Sequence, residues 1–335
     1  MKKIFVLSIF VIAAACIGLN CVQDKTLTLA DIRIRDPFIL ADTLDQTYYM
    51  YAQMSNRLNA EPDARGVEVY QSKDLETWTG PEPVFEVPQN FWAQKAVWAP
   101  EVHQYKGKYF LFVTFTSEDS LQQRSGRPPL VLRGTQILAS DSPTGPFKPF
   151  HDRPHTPRDW MALDGTLWVE DNVPWMIFCH EWVQIMDGTL ELVPLKPDLS
   201  DILGDPVTLF SASDAAWSRN LKSLGVKYRD QLWDGYVTDG PFLYRTRNGK
   251  LLKIWSSFGD EKYAIGIAVS ESGKVTGPWT NLPEPLIDAN GGHGMLFRTF
   301  DGQLMLVFHQ PNTGPNERAQ LYTLIDTGDM IRLEK

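Results

Sequence analysis

Five short tracts of this chain share one design, a Pro or Gly set at the head of a hydrophobic strand pattern. They are Arg35-Asp36-Pro37-Phe38, Trp98-Ala99-Pro100-Glu101, Leu163-Asp164-Gly165-Thr166, Thr238-Asp239-Gly240-Pro241 and Gly292-His293-Gly294-Met295. Aligned on the second residue of each, they start at 36, 99, 164, 239 and 293, in steps of 63, 65, 75 and 54 residues. A degenerate repeat of that length marks an architecture of repeated supersecondary units, and one four-stranded blade with its loops fits each step. The sequence therefore predicts an all-β chain folded as a five-bladed β-propeller.

Composition agrees with that architecture. At 335 residues, 43% hydrophobic and 12% aromatic, the chain can bury a large core, and propellers exceed the usual domain size as one unit. Residues 22–335 are expected to form a single domain, and the protein to be a monomer. A formal net charge of -9, with no run of Lys and Arg, argues against nucleic acid as a partner, because binding a phosphate backbone needs clustered cations.

Residues 1–21 read as an export leader. Lys2 and Lys3 form a positive n-region, residues 4–15 (IFVLSIFVIAAA) form an apolar stretch too short for a comfortable membrane span, and Ala13-Ala14-Ala15 places small residues ahead of Cys16. This run is also similar to a bacterial lipobox, which would turn Cys16 into a lipid anchor on a bacterial membrane; plain cleavage near Ala15 or a little further on is the alternative. Either way the expected location is outside the cytoplasm, in the periplasm or on the cell surface. Cys21 lies just beyond the signal core and Cys179 follows an apolar run at 175–178, so no disulfide framework is indicated and Cys179 is expected in the core.

Strand signals dominate the rest. The runs at 48–53, 109–116, 175–179, 251–255 and 304–309 are short and rich in β-branched and aromatic residues. Each comes after a turn-prone tract, Leu44-Asp45-Gln46, Tyr105 to Lys108, Glu170 to Val173, Arg247 to Lys250 and Phe300 to Gln303, so each blade should begin with a hairpin. Blade-edge insertions are expected at 118–134 and 198–236, and no long helix is expected.

Candidate chemistry comes from this geometry. Innermost propeller strands all begin on one face beside the channel, so the five openers converge on one pocket. Three of them, Asp36, Asp164 and Asp239, are aspartates in the same repeat phase. Returning strands should add a second polar ring 17 residues on, at Gln53, Thr116, Glu181, Ser256 and Gln310. Like charges gathered in a partly dry pocket push their pKa values apart, leaving one carboxylate ionised while another keeps its proton. That is the equipment for general acid and base work on a glycosidic bond.

At this level the motifs "RDPFIL", "WAPEV", "ALDGTLWVED", "DGPFLY" and "GGHGMLF" resemble, in order and over nearly all of the chain beyond the leader, glycoside hydrolase family 43. The resemblance implies an inverting enzyme with a general base on blade one, matched by Asp36, and an Asp on blade three that tunes the acid, matched by Asp164. It also implies a Glu acid on blade four, where this chain departs by carrying Asp239-Gly240-Pro241. Asp is one methylene shorter than Glu, and a misplacement of about 1 Å can cost about 100-fold. Glu181, on the second ring of blade three, offers another donor and is favoured here over Asp239; a salt bridge or a sugar hydroxyl contact is its alternative role.

The implied substrate is a plant cell-wall or arabinogalactan-type oligo- or polysaccharide, with release of terminal α-L-arabinofuranosyl units as the leading activity. Endo-arabinanase, β-xylosidase, a galactose-directed exo-glycosidase and a non-catalytic sugar-binding propeller are the alternatives. Phe38, Trp98, Trp182 and Trp92 can stack on a sugar ring or simply pack between blades. His180 and His309 are candidate sugar hydroxyl ligands. His293 is a candidate substrate contact and, by the resemblance, a candidate metal residue beside a Ca²⁺ or similar hard cation on the channel axis; no cofactor is required.

Overall fold

A computed structural model describes residues 26–57, 60–61, 63–260 and 262–334. The leader reading, with Cys16 and Cys21, lies outside them. Five antiparallel sheets succeed one another in chain order as blades I to V. Blade I comprises Phe38–Asp42, Thr47–Gln53, Gly66–Ser72 and Trp78–Glu86, and blade II Ala96–Tyr105, Lys108–Gln122, Leu130–Ser140 and Lys148–Pro149. Blade III is built from Ala162–Glu170, Val173–His180, Thr189–Pro194 and Val207–Ser211, and blade IV from Asp239–Arg245, Leu251–Phe258, Tyr263–Ser270 and Trp279–Asn281, with Ile287–Asp288 added to its third strand. Blade V is Gly292–Arg298, Leu304–Gln310, Arg318–Asp326 and Ile331–Leu333. The all-β, five-bladed propeller read from the repeat is the fold observed, and all five turn tracts join a first strand to a second.

The blades cohere through apolar sheet faces. Second strands are buried along almost their whole length because they are flanked within the sheet and covered on both faces, as in Leu251–Phe258 and Leu304–Gln310. Between blades III and IV, Trp255 meets Phe210 and Trp217 at ring centroid distances of 5.4 and 4.9 Å. Cys179 is a free, fully buried thiol in this same cluster.

The ring is closed by the N-terminal segment rather than by a shared strand. Leu27 pairs with Trp78 on the rim of blade I, and the chain then runs inward to the axis. There the Ile34 N–H donates to the Glu317 carbonyl of blade V, while Arg33 and Arg35 grip the Glu317 carboxylate at 3.2 and 3.0 Å.

Two expectations about the edges need correction. Residues 118–134 are not a separate insertion: the second and third strands of blade II run on past the blade as a ribbon, with Ser120 opposite Val131 and Gln122 opposite Leu130. The stretch 198–236 contains the outer strand of blade III, Val207–Ser211, and only the segment beyond that strand is extra, including the small hairpin of Lys227–Tyr228 and Gln231–Leu232.

Backbone geometry also corrects the repeat phase. Asp36, Ala99, Asp164 and His293 all have positive φ, at 52, 45, 57 and 52°, and the blade IV residue that matches them is Gly240 at 48° rather than Asp239. Pro or Gly comes directly after each of these five residues, but a Gly also follows Asp239, so only the backbone separates the two alignments. On blades II to V each sits in a register shift of the inner strand, so the strand bulges and re-aims its side chains toward the channel. Asp239 therefore stands one residue earlier, level with Arg35, Trp98 and Leu163.

Candidate active site

The bulges build a two-layered pocket. Asp36, Asp164 and His293 come from the positive-φ positions, and Arg35, Trp98, Leu163 and Asp239 come from the residues just before them; all seven line a cavity of about 440 Å³ at the opening of the channel. What separates Gly240 from the four matching residues, which hold the same positive φ with a side chain, is space: a Cβ there would lie 2.7 Å from the His293 ring.

Four of the five positive-φ residues have their N–H capped by the preceding blade. The Asp36 N–H donates to His309 Nδ1 at 3.2 Å, that of Asp164 to Thr114 Oγ1 at 2.8 Å, and that of His293 to Ser256 Oγ at 2.8 Å. The Gly240 N–H donates instead to Asp164 Oδ2 at 3.0 Å. The capping ring is thus His309, Thr114 and Ser256, where the count of 17 had placed Gln310, Thr116 and Ser256; the bulges absorb one or two residues in other blades.

The three aspartates are nearly buried, yet their surroundings drive them apart. Burial pushes Asp36 up, but His293 and then Arg35 outweigh it and hold this carboxyl well below the usual carboxylate range. His293 Nδ1 and His309 Nδ1 both lie 3.3 Å from Asp36 Oδ1. Since His309 Nδ1 already accepts the Asp36 N–H, and its Nε2 faces Asn312 Oδ1 at 3.1 Å, we assign the Nε2–H tautomer to His309 and leave donation to Asp36 to His293. Burial keeps His293 itself below its ordinary value.

The other two aspartates move the opposite way. Asp164 is raised well above the ordinary carboxylate value by burial and then by the neighbouring Asp239 and Asp36 charges. Asp239 is pushed up to about 7, mainly by burial, with the Tyr263 hydrogen bond and Arg35 opposing. The Tyr263 hydroxyl donates to Asp239 Oδ2 at 2.8 Å.

Glu181 reaches the same cavity but is held differently. Its carboxylate forms a short ion pair with Arg133, whose Nε donates to Thr116 Oγ1 at 3.0 Å and whose guanidinium lies 4.2 Å from the Trp98 ring centroid. Burial raises Glu181, while Arg133 works against that rise.

The remaining candidates separate cleanly. Trp98 and Trp182 line the cavity. Phe38 does not: it packs edge-on to His103 and Phe242 further down the channel. His180 stacks on Trp160 at 4.0 Å and contacts Gln184, away from the pocket lining. Trp92 donates its ring N–H to Gln136. His309 is fully buried behind Asp36, so a sugar cannot touch it; its task is to cap and position that residue. His293 Nδ1 is committed to Asp36 and, at 3.6 Å, to Asp164. Among the described residues no group of three or more His, Cys, Asp or Glu is arranged to hold a metal ion.

Sequence reasoning missed Arg35, Arg133, Trp233 and Tyr263. Arg35 sat unread inside the Arg-Asp-Pro motif. Tyr263 opens a third strand and Trp233 lies in the extra segment ahead of blade IV, neither of which carries a repeat signal.

One side of the mouth is walled. The tip of the blade II ribbon reaches across blade III, where Arg124 donates to the Val183 carbonyl at 2.7 Å, and Gly126 abuts the Gln231 side chain of the small hairpin. Behind this bridge Trp182 and Trp233 meet at 4.3 Å and cluster with Val131, Val183, Leu221 and Val237.

The chain matches the profile of Glycosyl hydrolases family 43 over residues 29–327. It belongs to that family. An endo-arabinase structure from Bacteroides thetaiotaomicron superposes with a TM-score of 0.77 at 41% identity, covering 91% of this chain and 99% of that one. An α-L-arabinofuranosidase structure from Lactobacillus brevis gives a TM-score of 0.69 at 20% identity over 91% of this chain and 96% of that one, a likeness of fold. Among characterised proteins, an extracellular exo-α-(1→5)-L-arabinofuranosidase of Cellvibrio japonicus is 23% identical over 93% of this chain and 87% of its own length. An extracellular endo-α-(1→5)-L-arabinanase of Bacillus subtilis is 27% identical over 144 residues, which is 40% of this chain and 42% of that protein, so less than half of that enzyme is matched. This family member is a glycoside hydrolase.

Proposed function

We propose that this hydrolase removes α-L-arabinofuranosyl units from the ends of arabinose-containing polysaccharide chains, with inversion. The observation that carries the reading is the split between two buried carboxyls at one cavity: Asp36 is kept ionised beside His293, while Asp239 keeps a proton to about pH 7. Asp36 is then the general base that activates water, and Asp239 is the general acid that protonates the departing oxygen. Asp164, linked to the Asp239 strand through the Gly240 N–H, positions that strand, while the Asp36 and Glu181 charges add to burial in holding up the proton affinity of Asp239.

Glu181 serves as a substrate-facing ion pair rather than as the acid. Burial leaves Glu181 above the ordinary carboxylate value as well, so the choice rests on contacts: its carboxylate is paired with the Arg133 guanidinium, which opposes holding a proton, whereas Asp239 faces the Tyr263 phenol. Asp239 replaces a longer Glu, and its place one residue ahead of the repeat phase, in the upper layer with Trp98, brings the shorter side chain to the cavity. Arabinan is the substrate favoured by the relatives' names, and the bridge across blade III favours attack at a chain end, because it blocks passage of a polymer on that side. The leader at 1–21 and the extracellular relatives support export to the periplasm or cell surface.

The likeness to the 41% identical endo-arabinase favours a second reading, internal cleavage. One digestion of linear α-1,5-arabinan monitored by proton NMR separates the two. Free arabinose from the first minutes, appearing in the inverted anomeric form, is the expected result; oligosaccharides first would make the enzyme endo-acting, and retained configuration would remove Asp36 as a base.

A further inference from the structure

On the face opposite the active site, a second cavity of about 690 Å³ opens between blades II and III. Inner strands start at the catalytic mouth, so the first turn of blade II, Tyr105 to Lys108, and the segment just past the third strand of blade III, Lys196 to Asp198, both lie at the far end of the channel. Phe150 is 41% exposed here, an unusual position for a Phe, and its ring lies nearly parallel to that of Phe110 at 6.4 Å, 19° between planes. The Tyr105 hydroxyl on the same wall is buried without a hydrogen-bond partner. A polar atom in that state is a site for a partner that the protein does not itself supply.

The charge here runs against that of the whole chain. Lys106, Lys108 and Lys196 line this cavity in a protein whose formal net charge is -9. Lys106 reaches across the cleft, donating to the Pro197 carbonyl at 3.0 Å and standing 5.0 Å from the Tyr105 ring centroid, so it spends no carboxylate partner. The nearby acids are mostly committed elsewhere. Asp198, itself on the lining, accepts from Ser200 at 2.7 Å and keeps its charge, while Asp201 is held by Arg153 at 2.6 Å with Lys196 at 4.0 Å, so the lysines outnumber the one uncommitted carboxylate. Of the three lysines it is Lys108 that is neutralised, at 2.9 Å from Asp141.

Aromatic faces beside cationic ends, with a spare hydroxyl, match a sugar ring that carries a carboxylate. We propose that this distal cleft binds uronic acid residues of an acidic polysaccharide, tethering the enzyme to a charged backbone while the catalytic mouth on the other face works on neutral side chains. That the backbone and the side chains belong to one polymer rests on the arabinose-directed reading above; uronate binding itself does not.

The test uses calorimetric titration of the full chain with trigalacturonate, and with neutral arabinotriose as control. Trigalacturonate should bind, weaken steeply with added salt, and lose at least tenfold in affinity in Phe150→Ala and in the Lys106→Ala/Lys196→Ala double variant. Tyr105→Phe, which keeps the ring, should lose a smaller part. Turnover of an aryl arabinofuranoside should stay unchanged in all three variants and should not be inhibited by trigalacturonate; that same unchanged turnover shows that the variants are folded. Absence of saturable trigalacturonate binding, binding that survives the variants, or competitive inhibition at the catalytic pocket would each overturn the proposal. If aryl arabinofuranosides are not hydrolysed at all while trigalacturonate binds as described, the arabinose reading fails and the cleft stands.

Discussion

The openings of blades I and IV place a buried aspartate at the same cavity and give it opposite chemistry. Asp36 sits on the bulge itself, where imidazole groups of His293 and His309 approach one carboxylate oxygen and Arg35 stands 3.7 Å away. Asp239 sits one residue before its bulge, where the Tyr263 hydroxyl donates to it. Asp36 is buried and Asp239 partly so, and burial alone would raise both. The partners decide the outcome: His293 and Arg35 overcome desolvation at Asp36, and one phenol with a more distant Arg35 charge does not overcome it at Asp239. On the proposed assignment, which of the two acts as base and which as acid follows from one residue of register in the inner strand rather than from residue type.

The largest effect that can break this comparison is loss of the base. Asp36→Asn keeps shape and loses proton affinity, and should lower kcat/KM by roughly 100- to 10,000-fold on every substrate, natural or activated. Sugar binding, measured by tryptophan fluorescence, should be nearly intact. Near-normal turnover would remove Asp36 from the chemistry.

Asp239→Asn should show a selective defect. Natural arabinan linkages need a proton on the leaving oxygen and aryl glycosides with good leaving groups do not, so the loss should be roughly 100-fold or more on the former and about tenfold or less on the latter. Glu181→Gln should instead raise KM on both substrate types with a smaller change in kcat, as expected for a group that binds rather than donates. The reverse pattern in the two variants would transfer the acid role to Glu181.

A smaller effect sharpens the comparison through pH. Asp239 donates only while protonated, so kcat/KM should fall as pH rises through about 7. Asp36 is depressed, so activity should not be lost on the acid side until well below the usual carboxylate range. The Tyr263 hydrogen bond favours the charged form of Asp239; Tyr263→Phe should therefore move the alkaline limb to higher pH and leave the acid limb in place. A pH profile with both limbs unmoved would separate Asp239 from the alkaline limb.

The sequence by itself determined the repeat, and through it the fold. A Pro or Gly at the head of each inner strand and a turn tract behind it are local signals, read within a few residues, and they recur in all five blades. The same signals placed Asp36, Asp164 and His293 at one mouth, because any residue at the bulge must face the channel. What the sequence could not carry was the phase of Asp239, since a one-residue shift leaves the motif Asp-Gly-Pro looking like the others while the backbone shows that Gly240 holds the positive φ. Nor could it tell that His309 would be fully enclosed behind Asp36, or that Arg133 of blade II would claim Glu181 of blade III. Those pairings join residues from different blades, separated by 273 and 48 positions in the chain. Tertiary packing alone brings them into contact, and a carboxyl's proton affinity depends on the charges and donors within a few ångströms of it rather than on its neighbours in sequence.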